Sequence, residues 1–81
     1  MTVHYENVIV HLTSGAKTNA ELYELMYPDD KRSKYSVKWE RHRHKLRKYA
    51  KQGYLTSEEL GRDKDGYLRV RYAIAKGVSL P

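Results

Sequence analysis

The sequence predicts a single α+β domain in which three helices are followed by a two-stranded β-hairpin. Apolar residues recur at helical spacing through the first two thirds of the chain, which predicts the helices. An Asp65-Gly66 turn followed by a segment of alternating apolar and polar residues predicts the hairpin. The chain has 81 residues, enough for one small core, and we expect that core to span about residues 5–75.

The first helix is predicted from an apolar face at the spacing i, i+3, i+4, i+7, made of Tyr5, Val8, Ile9 and Leu12. The run Val8-Ile9-Val10 is also compatible with a strand, because β-branched residues favour strands. In either case Ser14-Gly15 ends the element.

The second helix is predicted to begin at a capping box, with Thr18 as the N-cap and Glu21 three residues later. Its expected apolar face consists of Leu22, Leu25 and Met26, with Tyr23 beside them. Pro28 ends the helix, since the residue before a proline is disfavoured in the helical region. Residues 28–35 are predicted to form a polar loop.

The third helix is predicted to run from a cap at Ser36 to about Gln52, with Gly53 just past its end. The helical period gathers one apolar stripe, which we expect to be buried: Trp39, His42, Leu46, Tyr49 and Ala50. The opposite side is cationic and presents Lys38, Arg41, Lys45, Lys48 and Gln52, with His44 and Lys51 at its edges.

The hairpin is predicted from two strands on either side of the turn at residues 63–66. In the return strand, one face carries Leu68, Val70, Tyr72 and Ile74. The other face carries Tyr67, Arg69 and Arg71.

Positive charge is concentrated in one segment of the chain. The whole sequence carries +6, yet the segment from Lys31 to Lys51 contains ten Lys or Arg with Glu40 as its only acid, which makes the segment +9 and the remainder −3. Such separation indicates an anionic partner. The alternative is a basic helix face that is only solvated.

Several function classes are excluded by what the sequence lacks. There is no cysteine for disulfides, thiolate metal sites or nucleophiles, and there is no apolar run of membrane-spanning length. We expect no signal peptide. His42 and His44 point about 200° apart on a helix, so they do not share a metal ion. Glu58 and Glu59 face opposite sides of a strand, so they do not form a catalytic pair. We expect that the protein is not an enzyme and that it has no cofactor, metal, membrane partner or small-molecule effector. We expect it to be located in the cytoplasm, on the nucleoid.

The order helix, helix, basic helix, hairpin resembles the winged helix-turn-helix family of small transcriptional repressors. Residues 46–55 (LRKYAKQGYL) are similar to the end of the recognition helix in such repressors, and residues 61–72 (GRDKDGYLRVRY) to their wing. The resemblance covers about residues 5–75. The predicted loop at 28–35 is longer than the turn that usually precedes the recognition helix.

The resemblance implies double-stranded DNA as the partner, with the third helix in the major groove and the wing on the backbone or in the minor groove. It also implies a homodimer, because one such domain reads only a short half-site. Arg41 is the strongest candidate for reading a base, since arginine forks onto guanine. The DNA-binding set implied is Lys31, Arg32, Lys34, Ser36, Val37, Lys38, Arg41, His44, Lys45, Lys48, Lys64, Arg69 and Arg71.

Two other functions use the same features. An RNA-binding or ribosome-associated module could use the same basic face, and it would prefer structured RNA in competition binding. A protein–protein adaptor within a larger complex would have no affinity for nucleic acid at low salt.

Overall fold

Residues 3–29 and 37–78 are described by a computed structural model of the protein. Within these residues the fold is α+β, with three helices and a three-stranded antiparallel sheet in the order β1-β3-β2. The elements are α1 (Val3–Leu12), β1 (Lys17–Thr18), α2 (Asn19–Met26), α3 (Val37–Lys51), β2 (Leu55–Arg62) and β3 (Leu68–Ile74). None of the helices in these two ranges has the length and apolarity needed to cross a membrane.

The prediction of a two-stranded hairpin is wrong in one respect, because β1 adds a third strand. β1 pairs antiparallel with β3, with Lys17 opposite Tyr72 and Thr18 opposite Arg71. A strand of two residues is too short to carry an alternating pattern, so it leaves no signal in the sequence. Its pairing makes β3 the central strand and ties the start of α2 to the sheet.

α1 is a helix, and the strand alternative for residues 8–10 is wrong. Tyr5, Val8, Ile9 and Leu12 are all buried, as the helical spacing predicted. Val10 lies on the other side of the helix and is 59% exposed. Burial of one helical stripe therefore outweighs the strand preference of the β-branched run.

α2 begins at the predicted capping box. The Thr18 hydroxyl accepts a hydrogen bond from the Glu21 amide (3.2 Å), and the Glu21 carboxylate accepts one from the Thr18 amide (2.9 Å). Hydrogen bonds from the Thr18 amide and the Thr18 side chain to the carboxylate lower the pKa of Glu21. The helix ends at Met26, before Pro28, as predicted.

The apolar face predicted for α2 is wrong at Leu25, which is 46% exposed. The buried residues are instead Asn19, Leu22 and Tyr23. The Tyr23 ring packs edge-on against Trp39 of α3 at 5.0 Å between ring centroids. By the helical period Leu25 lies about 160° from Tyr23 around the helix, outside the buried stripe.

α3 buries the stripe that the sequence predicted. Trp39, His42, Leu46 and Tyr49 are buried, and Ala50 packs against the core. The helix ends in a Schellman motif at Gly53, whose φ is +87°. In this motif the Tyr54 amide donates a hydrogen bond to the Tyr49 carbonyl, and the Gly53 amide donates one to the Ala50 carbonyl. The predicted cap, Ser36, lies outside the described residues.

The β2–β3 hairpin turns at residues 63–66, as predicted. The Gly66 amide donates to the Asp63 carbonyl (3.0 Å), and the Asp63 carboxylate accepts from the amides of Asp65 and Tyr67. Tyr72 on β3 is buried, whereas Arg69 and Arg71 on the opposite face are exposed. The sheet therefore turns one face to the helices and the other to solvent.

Candidate nucleic-acid interface

The exposed side of α3 is strongly basic. Within this helix six cationic side chains are exposed, and together we call them the basic face: Lys38, Arg41, Lys45, Arg47, Lys48 and Lys51. At 1.5 Å per residue these positions extend over about 20 Å along the helix axis. Because the opposite stripe is fixed in the core, the direction of this charge is set by packing.

The middle of the basic face points directly away from the core. By the helical period, Arg41, His44 and Lys48 lie on the side opposite the buried stripe, and all three are exposed. Val37 begins the helix on the same side and is 69% exposed. A shallow depression of about 470 Å³ is bordered by Val37, Glu40, Arg41, His44 and Lys45.

Glu40 is the only acid of α3, and its charge is partly offset within the helix. Its carboxylate accepts a hydrogen bond from the Arg43 guanidinium at 3.2 Å. The Arg43 side chain is 20% exposed, so it belongs to the edge of the core. The exposed cations of the basic face therefore lie beside little competing negative charge from their own helix.

One flank of the basic face lies against α1 and α2. The Lys38 ammonium lies 4.4 Å from the centre of the Tyr27 ring, a cation–π contact that joins the start of α3 to the end of α2. Lys45 lies close enough to His4 of α1 to help lower the pKa of that histidine. These two lysines therefore have protein neighbours as well as solvent.

The other flank of the basic face lies along the sheet and carries Arg47 and Lys51. Neither residue belongs to the DNA-binding set that the resemblance implies. Both line a cleft of about 280 Å³ between α3 and the sheet. Their i, i+4 spacing was visible in the sequence, but only the tertiary structure reveals which flank of the helix meets a strand.

The predicted contact residues of the hairpin lie near acidic groups. Arg71 forms an ion pair with Glu58, which is its cross-strand neighbour on β2. Arg69 is exposed and near enough to Glu21 to lower the pKa of that carboxyl. Lys64 is exposed in the turn, between Asp63 and Asp65. The hairpin is thus closer to electrical neutrality than α3.

Four members of the predicted set cannot be located relative to α3. Lys31, Arg32, Lys34 and Ser36 lie outside the described residues. The remaining nine are all exposed, and six of them are on α3: Val37, Lys38, Arg41, His44, Lys45 and Lys48.

A cluster of two histidines and a tyrosine anchors α3 to α1 behind the basic face. The His4 Nδ1 lies 2.8 Å from the Tyr49 hydroxyl, and its Nε2 lies 3.4 Å from Nδ1 of His42. Burial is the main cause that lowers the pKa of each histidine from 6.5 to about 4. His4 and Lys45 add to the effect on His42, and a hydrogen bond to the Asn19 backbone acts against it.

Comparison with known proteins does not identify the function of this protein. No family model, curated protein or solved structure matches the chain. In the part of the chain that the structure describes, no three His, Cys, Asp or Glu side chains come together in a way that could hold a metal ion.

Proposed function

We propose that this protein is a winged helix-turn-helix transcriptional regulator that binds double-stranded DNA with α3 in the major groove. The observation that carries the proposal is the basic face of α3, which is exposed along the helix while the opposite stripe is buried. An α-helix with its side chains is about 10–12 Å across, and the major groove of B-DNA is about 12 Å wide. A helix held by one side can therefore enter the groove with its cations toward both phosphate strands.

The fold is consistent with this function. Three helices precede the β2–β3 hairpin, and the last of them is the basic one. In helix-turn-helix proteins the N-terminal part of the recognition helix contacts base edges. In this chain that part presents Val37, which suits a thymine methyl group, and Arg41, which suits guanine. Lys45 and Lys48 lie further along, where phosphate contacts are expected.

A homodimer on a two-fold symmetric site forms part of the proposal. One helix reads only a few base pairs, so two copies bound about one helical turn of DNA apart would supply the length needed for specificity. A regulator of this kind works in the cytoplasm, on the nucleoid.

The test is a binding experiment with three competitors. Sites are first selected from a random duplex library at low salt, and the best site is labelled for fluorescence anisotropy. Unlabelled selected duplex, scrambled duplex and structured RNA then compete for the protein. We expect the selected duplex to compete at least a hundredfold better than the scrambled one, as is usual for specific DNA-binding proteins.

The controls separate the proposed function from its alternatives. Arg41→Gln combined with Lys48→Gln should abolish selection, whereas Lys76→Gln, which removes an exposed cation from the turn after β3, should leave it unchanged. Stronger competition by structured RNA would replace DNA by RNA as the partner. Absence of binding to every nucleic acid at low salt would favour the adaptor function.

A further inference from the structure

The cleft between α3 and the sheet has a chemical composition unlike the rest of the basic face. It is lined by Arg47, Ala50 and Lys51 of α3, Ser57 of β2 and Tyr72 of β3. The cleft thus combines two cations with two hydroxyl groups in a volume of about 280 Å³. Elsewhere on the basic face, Lys38 contacts the Tyr27 ring and Lys45 lies near His4, while Arg41 and Lys48 are exposed to solvent.

The sheet register brings the two hydroxyl residues together. Ser57 and Tyr72 are directly opposite each other in the β2–β3 ladder, so their side chains lie on the same face of the sheet. That face is the one turned toward α3, because Leu55, two residues before Ser57, is buried in the core. The i, i+4 spacing of Arg47 and Lys51 puts both cations on the helix side that faces these hydroxyls.

Tyr72 is the most constrained member of the cleft. It is only 2% exposed, so its ring is held in place by packing. Burial raises the pKa of its hydroxyl, while Arg47 and Arg43 nearby act in the opposite direction. The hydroxyl therefore stays protonated at neutral pH and remains a hydrogen-bond donor beside an arginine.

The two cations of the cleft, Arg47 and Lys51, differ from Arg43 and Arg71 in how their charge is compensated. Among residues 3–29 and 37–78, no ion pair involves Arg47 or Lys51. Glu59, on the same face of β2, is not among the residues that line the cleft. Two uncompensated cations with two hydroxyl donors are suited to an anion that accepts several hydrogen bonds at once.

We propose that Arg47, Lys51, Ser57 and Tyr72 form a binding site for a single phosphate group, which on duplex DNA is a backbone phosphate next to the groove that α3 occupies. The source of the phosphate, duplex DNA, rests on the proposed function. The chemistry of the site is independent of that function. Arg47 and Lys51 supply the charge, while Tyr72 and Ser57 fix the position of the phosphate oxygens. A contact of this kind sets how deeply α3 sits in the groove and carries no sequence information.

The test uses two probes on the full chain. In the first, inorganic phosphate is titrated into ¹⁵N-labelled protein at constant ionic strength, with chloride as the reference anion. We expect saturable amide shifts at Ser57, Tyr72 and the last two turns of α3. Tyr72→Phe keeps the buried ring and removes the hydroxyl, and it should weaken phosphate binding about tenfold, as expected for a lost hydrogen bond to a charged group. Tyr54→Phe, outside the cleft, is the matched control.

In the second, the same variants are titrated with selected and scrambled duplexes. Tyr72→Phe should weaken both about equally, and Arg47→Gln should also reduce the slope of log K against log[salt] by about one. Unfolding curves of each variant establish that it is folded, and Lys76→Gln is the control for loss of a cation elsewhere.

The outcomes distinguish this site from the proposed function. Saturable phosphate shifts in the cleft without any duplex binding would support the site and overturn DNA binding, leaving a free phosphate or phosphorylated small molecule as the ligand. Duplex binding that is indifferent to Tyr72→Phe and Arg47→Gln would overturn the site and leave DNA binding intact. Phosphate shifts spread evenly over α3 would also overturn it, because they indicate screening of charge and no defined site.

Discussion

At the scale of single residues, His42 links the core of the protein to its basic face. It is 1% exposed and lies on the buried stripe of a helix whose other side carries most of the exposed charge. Its neighbours are aromatic: the Tyr23 ring packs edge-on at 5.4 Å, and His4 packs edge-on at 5.5 Å. An imidazolium in these surroundings would be desolvated and would face Lys45, so the neutral form is favoured.

This arrangement makes the stability of the fold depend on pH. The unfolded chain binds protons at both histidines below about pH 6.5, whereas the folded chain does so only near pH 4. The contribution of the two neutral histidines to the stability of the fold is therefore fully present at neutral pH. It is lost as the pH falls from about 7 to about 4. For His42 alone, we expect a loss of roughly 2 kcal/mol in the free energy of unfolding between pH 7.5 and pH 5, measured by urea denaturation.

Two exchanges test the origin of this loss. His4→Gln removes one member of the pair and should reduce the pH dependence, because it also relieves the effect of His4 on His42. His44→Gln, at an exposed position on the same helix, should leave the pH dependence unchanged. If the imidazole resonances of His4 and His42 both titrated near pH 6.5, the buried pair would not exist in solution.

At the scale of elements, α3 and the β2–β3 hairpin differ in how their charges are compensated. The exposed cations of α3 share their helix with one acid, Glu40, which already bonds to Arg43. On the hairpin, Arg71 is paired with Glu58, and Arg69 lies near Glu21. Exposed ion pairs are weak, but each must be broken or shared before the arginine can contact a phosphate. We therefore expect α3 to contribute more to DNA affinity than the hairpin does.

A pair of substitutions separates the roles of the two elements. Arg41→Ala should cost about 1–3 kcal/mol on the selected site and should relax discrimination at one base position. Arg69→Ala should weaken selected and scrambled duplexes about equally, with a smaller loss, because a backbone contact does not read sequence. Fluorescence titrations against the selected site, its single-base variants and a scrambled duplex measure both effects. Uniform loss for Arg41→Ala, with sequence-dependent loss for Arg69→Ala, would reverse the two roles.

At the scale of the whole molecule, charge and packing are divided between opposite sides of one helix. The molecule measures about 35 × 26 × 21 Å, so a basic face about 20 Å long occupies a large part of one side. Outside α3, the described residues carry more Asp and Glu than Lys and Arg, so they offer no comparable attraction for polyanions. The orientation of the protein on DNA is therefore expected to be set mainly by long-range electrostatics.

The same division predicts a steep dependence of DNA binding on salt. If the protein makes about six phosphate contacts in all, the slope of log K against log[salt] is about −5. Affinity should then fall by roughly a thousandfold between 50 and 200 mM salt. Lys48→Gln should reduce the slope by about one, whereas Lys76→Gln should leave it unchanged. A slope near zero for the unmodified protein would argue against phosphate contacts along α3.

The elements whose residues repeat a pattern could be predicted from the sequence. The helical spacing of Tyr5, Val8, Ile9 and Leu12 predicts α1, and the Thr18–Glu21 capping box marks where α2 begins. The buried stripe of α3, the glycine that ends it and the turn of the hairpin follow from equally local rules. These signals are readable because each depends on residues within a few positions of one another, so the backbone geometry of one element is enough to interpret them.

How the elements meet could not be predicted from the sequence. β1 exists because two extended residues pair with β3, more than fifty positions away, and two residues carry no pattern of their own. Leu25 is exposed because α2 turns Leu22 and Tyr23 into the core, where the Tyr23 ring meets Trp39 of α3. The two flanks of α3 look alike in the sequence, and packing alone turns Lys38 and Lys45 toward α1 and α2, and Arg47 and Lys51 toward the sheet. Such contacts depend on residues distant in sequence, and a pattern along one segment cannot encode which neighbour it will face.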